Sequence, residues 1–271
     1  MARIISAAIL IPVAILVVIY APPTFFLAGI GILGTVCLYE YYGLIRSMRL
    51  HVQPLLGYLF FWVLLVSLYQ ERFPATIALA LVMLAAFLSA MWRTRQSIRE
   101  RASALMAELF GIFYLTLFLY PAVQIRYGFG HVTGLHWFLI LLAVVWTGDT
   151  AALAAGKTFG KHPFAPALSP KKTNEGAVAG LLGGILIAVI MQHFLFQDLP
   201  LRHVVIAAVL LGFFGQLGDL AESMLKRAAE IKDSSQLIPG HGGALDRMDS
   251  LLFAFPVLYI YLLQLYPKAP S

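Results

Sequence analysis

The chain is 271 residues long, 61% hydrophobic and 12% charged, with a mean hydropathy of +0.85. A soluble domain of this size does not hide so much apolar surface, so the composition excludes a water-soluble globular protein and implies a multi-pass membrane protein. The lone cysteine, Cys37, excludes an intramolecular disulfide and a CxxC metal site. The formal charge of +6 and pI near 9.5 fit cytoplasmic Lys and Arg facing a polyanionic substrate rather than nucleic acid.

A helix crossing a bilayer needs about 20 mainly apolar residues. Nine stretches come close: about 4–21, 24–44, 53–70, 74–92, 103–122, 134–156, 176–196, 203–223 and 248–266. The first follows Arg3 and has the look of a signal peptide. Its apolar run from Ile4 to Tyr20 is long enough to span, however, and Pro22-Pro23 follow directly, so it reads as a retained helix. The second and eighth stretches each end in polar residues. No strand pattern competes, and an open sheet could not satisfy its backbone in lipid. The expected fold is all-α, a polytopic integral membrane protein of about nine transmembrane helices. The expected division is 1–101 for helices one to four, and 102–271 for catalytic helices five to nine with cytoplasmic loops 156–176 and 224–248.

Loop charge sets the orientation. With the N-terminus inside, fifteen of the 19 Lys and Arg fall on inner segments, and only Arg72, Arg126, Arg202 and Lys268 fall outside. That asymmetry predicts a cytoplasmic N-terminus and a periplasmic C-terminus. The polar loops after the sixth and eighth helices then both face the cytoplasm, the side that holds nucleotides.

The sixth helix carries Asp149 about two turns before the loop from Gly156 to Gly176. In that loop Lys171 and Lys172 follow Ser169-Pro170 and precede Thr173, at the mouth of the seventh helix. Lysines beside a helix N-terminus favour an anion; plain positive-inside anchoring is the alternative. Asp149 reads as part of the same pocket or as an intramembrane hydrogen-bonding residue. Gly176, Gly180 and Gly184, four apart, form a close-packing face.

On the eighth helix Gln216, Asp219, Ser223 and Lys226 are spaced to share one face, with Glu222 beside it and Gly212 and Gly215 above. A carboxylate at membrane depth costs about 2.5–3.5 kcal/mol even on lenient scales, so Asp219 marks a site. The segment from Ser223 to Asp249 then gathers Lys226, Arg227, Lys232 and Arg247 with Asp233, Asp246 and Asp249. Its Pro239-Gly240-His241-Gly242-Gly243 turn could cradle a phosphate through backbone N–H groups. Asp246 and Asp249, three apart, can share a helical face, or can simply cap the ninth helix. Brought beside Asp219, they make an oxygen-only set that needs a counter-charge and suits Mg²⁺.

Taken together, Ser223-x-Leu225-Lys226-Arg227, Lys232-Asp233, Pro239-x-His241-Gly242-Gly243 and Asp246-Arg247-x-Asp249 resemble the signature of the CDP-diacylglycerol synthases, or phosphatidate cytidylyltransferases. Asp149, Gly156, Phe159-Gly160-Lys161, Ser169-Pro170-Lys171-Lys172-Thr173 and Glu175-Gly176 extend the similarity, which covers about residues 140–255. Ala244 stands where a larger aliphatic residue is usual, and Asn174 and Leu153 where aromatics are common; no charge or glycine changes. The resemblance implies that CTP and phosphatidate give CDP-diacylglycerol and pyrophosphate, without a covalent enzyme intermediate. It implies a homodimer in the inner membrane of a bacterium, and Mg²⁺ as one or two ions, with an additional monovalent cation left open. Asp219, Asp246 and Asp249 carry over as metal ligands, and Lys226 and Arg227 join them as catalytic residues. Asp149, Ser169, Lys171, Lys172, Ser223, Lys232, His241, Gly242, Gly243 and Arg247 carry over as substrate-binding residues, with His241 a donor to phosphate rather than a base. Two other readings use some of the same residues: a CTP-dependent polyprenol or phytol kinase, and a cation-coupled transporter built on Asp149 and Asp219.

Overall fold

In the computed structural model, residues 2–70, 74–93, 96–196, 199–237 and 242–266 are described. Among them the chain forms nine α-helices and one small hairpin. The helices are α1 (Ala2–Tyr20), α2 (Pro23–Ser47), α3 (Pro54–Gln70), α4 (Ala75–Met91), α5 (Ile98–Tyr127), α6 (His131–Phe159), α7 (Asn174–Leu195), α8 (Leu201–Ala228) and α9 (Leu245–Leu265). Six of these, α2 and α5 to α9, are long and apolar enough to cross a membrane. The apolar helices α3 and α4 have 17 residues each, roughly 25 Å of helix against a hydrocarbon core of about 30 Å.

Local chemistry explains the helix ends. Pro23 opens α2 at a position where its missing N–H costs nothing. The α5 helix begins earlier than its apolar run because Ser97 and Glu100 form a reciprocal capping box. Thr173 caps α7 by accepting the Gly176 N–H at 3.2 Å. At the other end of α5, Arg126 is fully buried. Its guanidinium donates to Val18 O at 2.6 Å and Ile19 O at 3.2 Å, the last carbonyls of α1, and to His131 O at 3.2 Å. A cation at a helix C-terminus is favourable, so this arginine, expected simply as an outer-side charge, locks α1 to α5 and α6.

One hydrophobic core runs from Val18 to Leu262 and draws on both halves of the chain. The α5 helix packs against α2, α3, α4, α6 and α9, while α8 packs against α6, α7 and α9. Small residues bring α7 close to α6. A side chain at Gly180 would meet Gly148 O at 2.9 Å, and one at Gly184 would meet Val144 Cγ1 at 3.1 Å. The expected glycine face of α7 is therefore its seam with α6, and it sets Asp149 beside that seam.

The loop after α6 holds the one departure from an all-helical chain among the described residues. Strands β1 (Pro163–Ala165) and β2 (Ser169–Thr173) pair antiparallel. With three and five residues, they are too short for a sequence rich in Pro and Lys to announce. Glu175, in the first turn of α7, fixes the hairpin's base by accepting the Lys161 N–H at 3.1 Å and the His162 N–H at 3.3 Å and pairing with His162 Nδ1 at 2.6 Å.

Candidate active site

The polar stripe of α8 faces the hairpin and α9. Gly218 lets the two helices meet, because a Cβ there would strike the Asp249 carbonyl. Asp219, the next residue, takes Lys172 Nζ of β2 at 2.6 Å, with both side chains about three-tenths exposed. Ser223, one turn along, lies 3.4 Å from Asp219 Oδ1. Gln216 donates to Ala177 O at 2.9 Å and ties the upper end of the stripe to α7. Asp149 and Asp249 complete a set of facing carboxylates. Asp149 interacts electrostatically with Asp219, Lys172 and Arg247. Asp249, whose Oδ1 accepts the Ser250 N–H at 2.6 Å, interacts with Asp219, Glu222 and Asp149. Four elements, α6, β2, α8 and α9, thus converge on one edge.

Behind that edge lies a second cluster whose members bond mainly to one another, with Glu222 Oε1 buried and unbonded. Lys226 Nζ donates to Glu222 Oε2 at 2.9 Å and to Asp246 Oδ1 at 2.7 Å. The side chains of Lys226, Glu222 and Asp246 are 12%, 0% and 7% exposed. Asp246 Oδ2 also accepts the Ser234 N–H at 3.0 Å and the Gly243 N–H at 2.8 Å, and it lies 2.9 Å from Ser234 Oγ. Gly242 adopts φ +78°, and a Cβ there would come within 2.7 Å of Asp246 Oδ2. These glycines are accounted for by close packing round Asp246, and the Gly243 N–H expected at a phosphate is given to that carboxylate.

The remaining expected residues that the structure describes lie on the hairpin, at the end of α8, in the segment after it and at the start of α9. Arg227 Nε donates to Leu168 O at 3.3 Å and links α8 to the hairpin turn. Arg227, Lys171, Lys232 and Arg247 are exposed, and Ser169 is half-buried at the start of β2. His241 lies outside the described residues.

Sequence reasoning passed over Glu40 of α2. It is 1% exposed and accepts the Ala244 N–H at 3.0 Å and the Leu245 N–H at 2.7 Å. Ser234 Oγ and Ser235 Oγ reach it at 3.1 and 2.5 Å. A signal existed: Glu40 is a lone carboxylate in an apolar run, the criterion that singled out Asp219.

The edge sets carboxylates of three helices near one another with a lysine beside them. Asp149, Asp219 and Asp249 repel one another, and carboxylate oxygens suit Mg²⁺. Among the described residues no three Asp, Glu, His or Cys side chains are close enough to hold a metal by themselves. Mg²⁺ commonly takes one or two carboxylates and completes its shell with phosphate oxygens and water, so the donor set fits an ion that arrives with a phosphate ligand.

The sequence model of the cytidylyltransferase family matches residues 1–265. The chain belongs to that family. Among curated relatives, the phosphatidate cytidylyltransferase of Staphylococcus saprophyticus is 45% identical over 132 residues, covering 49% of this chain and 51% of the relative. That of Staphylococcus haemolyticus is 43% identical over 132 residues, with the same coverage of each. One from Staphylococcus aureus is 43% identical over 131 residues, covering 48% of this chain and 50% of the relative. The chain spans about half the length of the curated relatives it matches.

Proposed function

We propose that this chain is a phosphatidate cytidylyltransferase, converting CTP and phosphatidate to CDP-diacylglycerol and pyrophosphate. The observation that carries the reading is the electrostatic meeting of Asp219, Asp249 and Asp149 with Lys172, to which Arg247 and the hairpin-bound Arg227 add positive charge. The family and the names of the relatives supply the substrate class.

An oxygen of the phosphatidate phosphate attacks the α-phosphorus of CTP. The bond from that phosphorus to the α–β bridging oxygen breaks, and pyrophosphate leaves with the electron pair. The nucleophile is already an anion, so no Ser or Cys need be activated, and the protein's task is positioning and charge neutralisation. Arg227 and Arg247 offer bidentate grips on phosphate, and Lys171, Lys172 and Lys232 offer point charges. Ser169 and Ser223 offer hydroxyl donors, and His241 is assigned to phosphate as well. Asp219 and Asp249 would hold Mg²⁺, and Asp246 would join through Oδ1, where Lys226 sits in this structure. When bound, the ion would neutralise charge on the α-phosphate and on the departing pyrophosphate. Asp149 would complete the pocket from α6.

Further parts of the proposal follow from charge and resemblance. The helices make nine crossings with the N-terminus in the cytoplasm and the C-terminus outside, as the Lys and Arg distribution supports. The site then faces the cytoplasm at the plasma membrane; CTP enters from water and phosphatidate sideways from the bilayer. The working unit is a homodimer.

The test is one assay with purified protein, CTP, phosphatidate and Mg²⁺. Pyrophosphate and a lipid-linked cytidine nucleotide are expected in equal amounts, with turnover abolished by EDTA and restored by added Mg²⁺. Release of CDP would make the chain a CTP-dependent lipid kinase. Ion-coupled solute uptake into liposomes without CTP, and no product in the assay, would make it a transporter. Full turnover in EDTA would remove the metal from the account.

A further inference from the structure

We infer that Glu40 is a positioning residue for this reaction: from α2 it holds the first turn of α9, and with it Asp246 and Asp249, in place against α8. The inference rests on the cytidylyltransferase reading above. Three observations carry it.

The first is what the N-terminus of α9 lacks. Its N-cap is Ala244, which has no side chain able to accept the opening N–H groups. Those donors must be satisfied when buried, and Glu40 accepts those of Ala244 and Leu245 from a helix some 200 residues away in sequence. A negative charge at a helix N-terminus is also the favourable sign.

The second is the matching of donors to acceptors. An ionised carboxylate is acceptor-only, with about four lone-pair sites. Glu40 has four hydrogen-bonding groups round it: two backbone N–H groups, Ser235 Oγ, and Ser234 Oγ, whose single proton lies within reach of Asp246 as well. All four come from the 234–245 segment, so the carboxylate is dedicated to placing that stretch.

The third is the route to the reacting groups. Ser234 Oγ lies 3.1 Å from Glu40 Oε2 and 2.9 Å from Asp246 Oδ2, with one proton to give. Gly243 fits between, since a Cβ there would collide with Ser234 Oγ and approach Glu40 Oε2 to 2.5 Å. Glu40, Ser234 and Asp246 therefore form one stack, and Asp249 follows a turn later on α9. A shift of about 1 Å in reacting groups can cost on the order of 100-fold in rate, so a carboxylate remote from substrate can govern turnover.

The experiment compares Glu40→Gln, Glu40→Asp, Ser235→Ala and Glu108→Gln in the full-length purified protein. Glu108 is a second buried carboxylate, on α5, bonded to Arg93 at 2.5 Å and to the Gln53 N–H. Glutamine keeps the shape of Glu40 but turns an NH₂ toward N–H donors; aspartate keeps the acceptor but shortens its reach. Per folded molecule, Glu40→Gln should lower kcat about tenfold or more while KM for CTP stays within about twofold. Glu40→Asp should retain more activity than Glu40→Gln, the reverse of what shape-filling predicts. Hydrogen exchange should quicken at residues 242–252 in Glu40→Gln and not in α5. Ser235→Ala should show the same pattern at about two- to fivefold. Glu108→Gln should lose thermal stability with kcat per folded molecule and exchange at 242–252 unchanged.

Wild-type kcat in Glu40→Gln, or activity that merely tracks the folded fraction with exchange at 242–252 unaltered, overturns the inference. Should Glu40→Gln fail to fold, Ser235→Ala decides, and unchanged kcat and exchange there overturn it. If the wild-type protein makes no lipid-linked cytidine nucleotide, the assigned reaction fails by itself; the exchange measurements still decide whether Glu40 places α9.

Discussion

Two groups of charged residues meet where α8 and α9 pack, the second joined by Asp149 of α6 and Lys172 of β2, and they are built on opposite plans. In the cluster of Glu222, Lys226 and Asp246, the bonds run inward: Lys226 bridges two carboxylates, and Asp246 also binds Ser234 and Gly243. At the edge formed by Asp149, Asp219 and Asp249, like charges face one another, and Lys172 pairs with Asp219. Desolvated charges that are fully paired tend to organise structure, whereas an excess of one sign held at a surface waits for a ligand. The difference teaches that neighbouring charges on α8 and α9 can be paired inward or left facing like charges, according to what folding sets beside them.

The comparison can be broken or sharpened by variants on either side of it. The largest effect is expected at the open edge. Asp219→Asn should cut kcat by about 10²–10³ through lost charge stabilisation while the thermal midpoint in detergent moves little; near-normal Mg²⁺-dependent turnover would put Asp219 outside the chemistry. On the closed side, Lys226→Met strands the buried Glu222 and Asp246 without their counter-charge, for a loss of about 3 kcal/mol. A melting curve reads that loss, and a variant as stable as wild type would show that the cluster is not the framework described. Gly242→Ala forces a side chain into positive φ and against Asp246, an expected cost of about 1–2 kcal/mol. Asp246 should be displaced with it, so activity should fall along with stability; a variant with wild-type melting and turnover would show that this turn tolerates a Cβ. The smallest effect is expected at Arg227. Arg227→Ala should raise KM for CTP roughly tenfold, about 1.4 kcal/mol, with kcat less affected. Unchanged kinetics would leave Arg227 as a link between α8 and the Leu168 carbonyl and nothing more.

Much of this was legible in the sequence because it depends on local spacing. The helices follow the apolar runs, with the ends of α5 and α8 extended where a capping box and a polar face prolong the helix into water. The glycines of α7 declared a close seam by their four-residue spacing, and the structure places α6 there. The likeness to cytidylyltransferases was readable in ordered charges and glycines, and the chain belongs to that family. Partners remote in sequence were not readable. Glu40 and Arg126 each look like isolated charges in apolar helices, since the groups they bind lie far along the chain: Ser234 to Leu245 for Glu40, and Val18 and Ile19 for Arg126. The hairpin was missed because five residues of Ser, Pro, Lys and Thr carry no period that distinguishes a strand.

The sequence by itself determined a helical membrane protein with the ordered charges and glycines of the cytidylyltransferase family, because hydrophobic period and charge order are properties of a linear string. Tertiary structure alone decided which carboxylates pair with Lys226 and which face one another, because acceptors are filled by whichever donors folding brings near. The Gly243 N–H and the Ser234 hydroxyl, and the helix start that Glu40 caps, acquire their roles only when α2, α8 and α9 pack together.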